Sequence, residues 1–151
     1  MRAVLLCFAL AACAATPSAG PLPAASGSGE ALALASQARV ARGLSPLRAD
    51  PRLAAAAEEQ AEFMARRGKI GHDGRGGSTV LERVRAVGVE GCHMAENVAA
   101  GQRSAAQVHG DWMGSAGHRA NILNGNLDAG AVASAEGNGM IWWAMVLAGP
   151  C

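Results

Sequence analysis

"AGAVASAEGNGMIWWAMVLAG", residues 129–149, reads as two strands folded back on each other around a turn at Glu136–Gly139. Short apolar runs flank a cluster of Glu, Gly and Asn, and Val, Ile and Trp suit a pleated, packed surface. Trp142 and Trp143 are adjacent, so the alternation of a strand sends them to opposite faces and predicts that one of them points outward. The pattern upstream is different. "DPRLAAAAEEQAEFMARRG", residues 50–68, is the clearest helix, with Asp50 as N-cap, Pro51 in the first position and Gly68 as the left-handed stop. Leu53, Ala57, Ala61 and Met64 recur on one face of it.

A looser helix starts at Glu30 and stops at Gly43. Thr79 and Glu82 have the spacing of a capping box and open a third helix, with Val80, Val84 and Val87 as its stripe and Gly88 as its end. Ser104 and Gln107 have the same spacing and open a fourth, through Val108, Trp112 and Met113. "HMAENVAAG", residues 93–101, reads as a short strand. Helices come first and strands cluster late, with no βαβ alternation. That order predicts an α+β fold in which an antiparallel sheet lies between helical layers.

The chain has 151 residues and a net charge of +1. One domain fits that length, and near-neutrality argues against a nucleic-acid-binding face. The N-terminus reads as an export signal: Arg2, then the apolar "AVLLCFALAA", then "LAAC" at 10–13, which resembles the lipobox of bacterial lipoproteins. Lipidation of Cys13 is favoured over an ordinary cleaved signal, and either puts the domain outside the cytoplasm. Residues 1–12 are thus the signal, 13–29 a Pro/Ser/Gly-rich tether, and 30–151 the domain. With Cys7 in the signal and Cys13 as anchor, Cys92 and Cys151 remain, and an oxidising compartment favours their pairing.

His72 sits in the glycine-rich stretch 68–77, Glu96 in the strand 93–101, and His118 just past the Trp112 helix. Their local spacing carries no metal signature. Five motifs in one order carry a resemblance: "GLSPLRADPRLAAAAEEQAEFMARRG", the histidine at 72, "ER" at 82–83, "AENVAAG" at 95–101 and "WMGSAGHRANIL" at 112–123. Together they resemble a bacterial member of the CAP superfamily, the SCP or PR-1-like domains, over about residues 31–148. The resemblance implies an α-β-α sandwich and a cleft lined by His72, Glu96 and His118.

Two departures stand out. Eukaryotic members carry a further glutamate after the tryptophan, where this chain has Gly114, Ser115 and Ala116. Glu82 of "ER" is the bacterial substitute, although as the third residue of a capping box it is equally placed to turn to a backbone N–H. The family's N-x-x-R in the first helix is here Ser36 and Arg39, so the asparagine's hydrogen bond is in question. Arg119 is expected to pair with Glu96 or Glu82, and Asn121 to satisfy backbone groups in a turn. His93 and His109 match no cleft position, and His109 is expected on a helix surface.

Two imidazoles beside a carboxylate suit a divalent metal, most simply zinc. The reading favoured here is a binding module in which His72 and His118 ligate the metal, Glu96 stands behind them, and the cleft takes a small-molecule, lipid or envelope ligand. The alternatives are a metal-assisted, peptidase-like hydrolase with Glu96 as its catalytic base, and an envelope docking module with no chemistry. Some relatives bind sterols or lipids, and peptidase activity has been proposed for others. Against hydrolysis stand a metal with only two protein ligands and no nucleophile motif.

Overall fold

The computed structural model describes residues 27–151, so the signal, Cys13 and most of the tether lie outside the described residues. Five helices, one short 3-10 turn and four strands follow in the order α1 (Gly27–Val40), β1 (Arg48–Ala49), α2 (Pro51–Arg67), the turn Arg75–Gly77, α3 (Val80–Ala86), β2 (His93–Ala100), α4 (Ala105–Gly114), α5 (Ala116–Ile122), β3 (Ala129–Gly137) and β4 (Met140–Gly149). The strands form one sheet in the order β1-β3-β4-β2. β2, β4 and β3 are antiparallel, and the two-residue β1 joins β3 in parallel. The Asn138–Gly139 turn, with both residues at positive φ, closes the β3–β4 hairpin as Asn-Gly does in two-residue hairpins.

Each face of the sheet is covered. On one side Leu32, Ala35, Val108, Trp112 and Ile122 from α1, α4 and α5 pack on Ile141, Trp143, Met145 and Leu147. On the other, Leu53, Ala57, Ala61, Met64 and Val84 from α2 and α3 pack on Trp142, Ala144, Val146 and Ala148. This is the α-β-α sandwich expected. It corrects the expectation for the tryptophan pair: Trp142 and Trp143 do take opposite faces, but both are buried because both faces are core. Their indole N–H groups donate to the carbonyls of Gly137 and Gln102. Alanine on α2 and β3 lets helix and sheet approach closely, and a Cβ on Gly137 would stand 2.7 Å from the Ala65 carbonyl oxygen.

The α2 cap is built as the sequence indicates, with Asp50 accepting from the Arg52 N–H and Gly68 left-handed. The Arg52 guanidinium holds the Asp50 carboxyl well below the usual carboxylate range. The Thr79–Glu82 capping box is complete. Ser104 accepts from Gln107 N–H, but Gln107 reaches Arg103 N–H instead of closing the box. α1 includes Gly27–Gly29, residues expected as tether, and Gly27 lies against the Trp143 ring. His118 and Asn121, expected in a turn past the Trp112 helix, lie on a further helix, α5. Cys92 and Cys151 are bridged, 59 residues apart in sequence, a cross-link that the chain-entropy model values at about 4 kcal/mol.

Arg39 is the buried surprise of α1, with 1 % exposure. Its guanidinium donates to the carbonyls of Ser45, Ile122, Asn124 and Leu127 at 2.5–2.8 Å. Burial lowers its pKa, opposed by the charge of Asp128. One side chain therefore fixes both the loop after α1 and the loop leaving α5. Ser36, in the place of the family's asparagine, does make a hydrogen bond, accepting from Leu47 N–H at 3.1 Å. Lysine cannot reproduce the fork of donors at position 39. We expect Arg39→Lys to lower unfolding free energy by about 2–4 kcal/mol, since orphaned buried acceptors each cost about 1–3 kcal/mol. Urea denaturation measures it, and a loss below about 1 kcal/mol would show that the four carbonyls find other partners.

Candidate functional site

The site is organised by two consecutive residues of the edge strand β2. Glu96 and Asn97 point to opposite faces of the sheet, by the alternation that places Val98 and Ala99 in different cores. On the α2/α3 face, Glu96 Oε1 meets His72 Nδ1 at 2.9 Å, and Glu96 Oε2 accepts from Arg83 Nη2 at 2.5 Å. The Glu96 side chain is 1 % exposed and that of His72 is 61 % exposed. The imidazole therefore reaches solvent while its anchor stays inside. On the other face, Asn97 donates to the His118 carbonyl at 3.0 Å and accepts from Asn121 at 2.8 Å. Asn121 also reaches the Glu96 carbonyl at 3.3 Å. The strand thus holds the His72 loop with one side chain and the His118 helix with the next.

The loop around His72 has no regular structure of its own and is held from behind. Arg83 Nη1 donates to the carbonyls of His72 and Ser78, and Gln60 donates to that of Gly71 at 2.7 Å. Gly74 is required here, since a Cβ would stand 2.6 Å from both Arg83 Nη1 and Ser78 Oγ. His118 is half-buried on α5. Burial lowers its pKa, and the charge of His72 lowers it further.

The fold therefore brings His72 and His118 to the strand that carries Glu96. Two other expectations are corrected. Glu82 does not join them: its carboxylate accepts from the Thr79 N–H and hydroxyl, which lowers its pKa, and it faces a separate concavity of about 400 Å³ with Glu59 and Arg75. Arg119 pairs with neither carboxylate but donates to the Met113 carbonyl. Asn121 serves β2 instead of a turn. His93 is exposed, and His109 is half-buried, with its pKa lowered by burial.

Arg83 is the site residue that sequence reasoning passed over, yet a signal was present. It falls at the i+3 position of the stripe Val80–Val84–Val87, where a charged residue faces the core and needs a partner there. Asn97 carried no such signal, because its partners come from α5.

An α-β-α sandwich with two histidines set on either side of an edge strand defines an SCP-type domain. The chain belongs to the CAP family: the model of the Cysteine-rich secretory protein family matches residues 32–146. An uncharacterised protein of Bacillus subtilis (strain 168), YkwD, is 32 % identical over 104 residues, which are 69 % of this chain and 40 % of that protein. The chain thus spans well under half of that relative's length. Among solved structures, an extracellular protein containing an SCP domain from Bacillus anthracis superposes with a TM-score of 0.72 at 20 % identity, covering 81 % of this chain and 40 % of that one. An outer surface protein of Borrelia burgdorferi superposes with a TM-score of 0.74 at 18 % identity, covering 82 % of this chain and 92 % of that one.

Removing one partner of a buried ion pair costs far more than trimming an exposed side chain. Glu96→Ala should lower stability by about 3–5 kcal/mol, and His72→Ala by less than about 1 kcal/mol. Equal losses in chemical denaturation would place the anchor elsewhere. By NMR, His118 should titrate below an ordinary histidine, and His72→Ala should move its midpoint upward by deleting the opposing charge. An unmoved midpoint would separate the two rings.

Proposed function

We propose that the domain works outside the cytoplasm as a binding module, and that its cleft takes a divalent cation, most simply zinc, between His72 and His118. The observation that carries this reading is the Nδ1 contact of His72 to a buried carboxylate. It occupies Nδ1, leaves Nε2 as the ring's other donor on a largely exposed side chain, and orients the ring as outer-shell carboxylates orient metal-bound histidines. In this reading two neutral imidazoles are the protein's ligands to the cation. Among the described residues, no group of three or more His, Cys, Asp or Glu side chains is placed to hold a metal. Solvent or a ligand donor would complete the coordination. When bound, the cation would supply a Lewis-acidic point at the cleft for an anionic or carbonyl-bearing group. The ligand is a small-molecule, lipid or envelope component of that compartment.

Binding is favoured over hydrolysis because Glu96 is committed. Both of its oxygens are engaged, one by His72 and one by Arg83, so it holds the site and is poorly placed to take a proton from water. The extracytoplasmic address is supported by the export-like N-terminus, the disulfide, and the extracellular and surface proteins that share the fold. Attachment to a membrane through Cys13 belongs to the same proposal.

Zinc calorimetry tests the cleft. The wild type should bind one zinc ion per chain, and His118→Ala should weaken binding by more than about tenfold without unfolding the domain. The double variant His72→Ala/His118→Ala should abolish it. Acidification through the histidine range should weaken zinc binding. The depressed pKa of His118 keeps that ligand neutral to lower pH than an ordinary histidine. Unchanged affinity in the double variant would overturn the proposal.

A further inference from the structure

Away from the cleft, a second concavity of about 510 Å³ opens beside the end of the sheet, lined by Arg85, Glu90 and both halves of the Cys92–Cys151 bridge. Both cysteines are exposed, as are Arg85 and Glu90. Structural disulfides of exported proteins typically resist reduction, whereas strained or exposed ones are the labile ones. The space is large enough for a short peptide, and its rim offers one cation and one anion.

The bridge also lies just outside the local ladder. β2 and β4 pair continuously from His93↔Gly149 to Ala100↔Trp142. Cys92 lies immediately before the first of these pairs and Cys151 two residues beyond it. Cys92 is therefore held by the strand that follows it, while Pro150 and Cys151 lie outside the regular structure.

We propose that the Cys92–Cys151 bridge is a thiol-exchange site that accepts a charged peptide thiol as a mixed disulfide while the domain stays folded. The incoming thiolate attacks Sγ of Cys151. The new sulfur–sulfur bond forms as the Cys92–Cys151 bond breaks, and Cys92 leaves as a thiolate that takes a proton from solvent. No external oxidant is consumed, since one disulfide replaces another. A second equivalent of the same thiol releases Cys151, and the peptide disulfide departs with both cysteines reduced. Arg85 attracts the thiolate and the carboxylates of such a peptide and stabilises the leaving Cys92 sulfur, and Glu90 suits its ammonium.

Reduced glutathione is the probe. The full chain is incubated with it in mildly alkaline, non-denaturing buffer, quenched in acid and mapped by peptide mass spectrometry. The expected result is a glutathione adduct on Cys151, forming at a rate unaffected by urea below the unfolding transition, with near-UV circular dichroism preserved. Arg85→Gln should slow the reaction with glutathione about threefold at low salt and leave the reaction with neutral 2-mercaptoethanol unchanged. Adduct formation only once urea unfolds the chain would overturn the proposal. Equal slowing with both thiols would remove the role of Arg85 and with it the preference for a charged thiol.

Discussion

A carboxylate in a protein interior is tolerated only when its oxygens are engaged, and the rest of this molecule is arranged around meeting that condition for Glu96. Arg83 takes one oxygen and His72 the other. The remaining donors of Arg83 then fasten the His72 and Ser78 carbonyls. The electrostatic need of one buried group thus becomes the conformational order of a glycine-rich loop that could not order itself. Asn97 does the corresponding work on the opposite face with neutral hydrogen bonds. Two sheet faces with different helices and different cores are joined functionally by adjacent residues of one strand.

The departure from the eukaryotic pattern at Gly114–Ala116 has a structural sense in this setting. Ser115 closes α4 and opens α5, so the chain there makes a tight change of direction that brings His118 toward β2. The second acidic group of the eukaryotic cleft has no replacement from Glu82, whose carboxylate is used to start α3. Glu96 is therefore the acidic side chain that the described structure sets beside His72, and both of its oxygens are engaged.

Much of this was legible in the chain. The N-cap at Asp50, the stop at Gly68, the box at Thr79–Glu82 and the hairpin at 129–149 are local features, and local physics places them correctly. The sandwich followed from the order of elements. The contact of His72 with Glu96 and that of the His118 carbonyl with Asn97 did not, because nothing in the local spacing brings those elements together. The misses share one cause. Arg119, Glu82 and the tryptophan pair were assigned partners or exposure from sequence, but tertiary packing decides both. His118 and Asn121 read as turn residues past the Trp112 helix, but Ile122 packs in the core and Asn121 bonds to β2, and the segment is helical. Arg39 and Arg83 were hardest to weigh, since a buried arginine looks like a surface one until its acceptors, far along the chain, are known.

The bond from Asn121 to the Glu96 carbonyl has a consequence beyond the cleft. β2 forms one rim of the sheet, and that carbonyl points away from β4, where a foreign strand would dock. With Asn121 seated there, the rim offers an interrupted template, and the opposite rim, β1, is only two residues long. Sheets with bare borders polymerise when molecules are crowded together. This one offers a neighbour's strand little continuous backbone to pair with at either border.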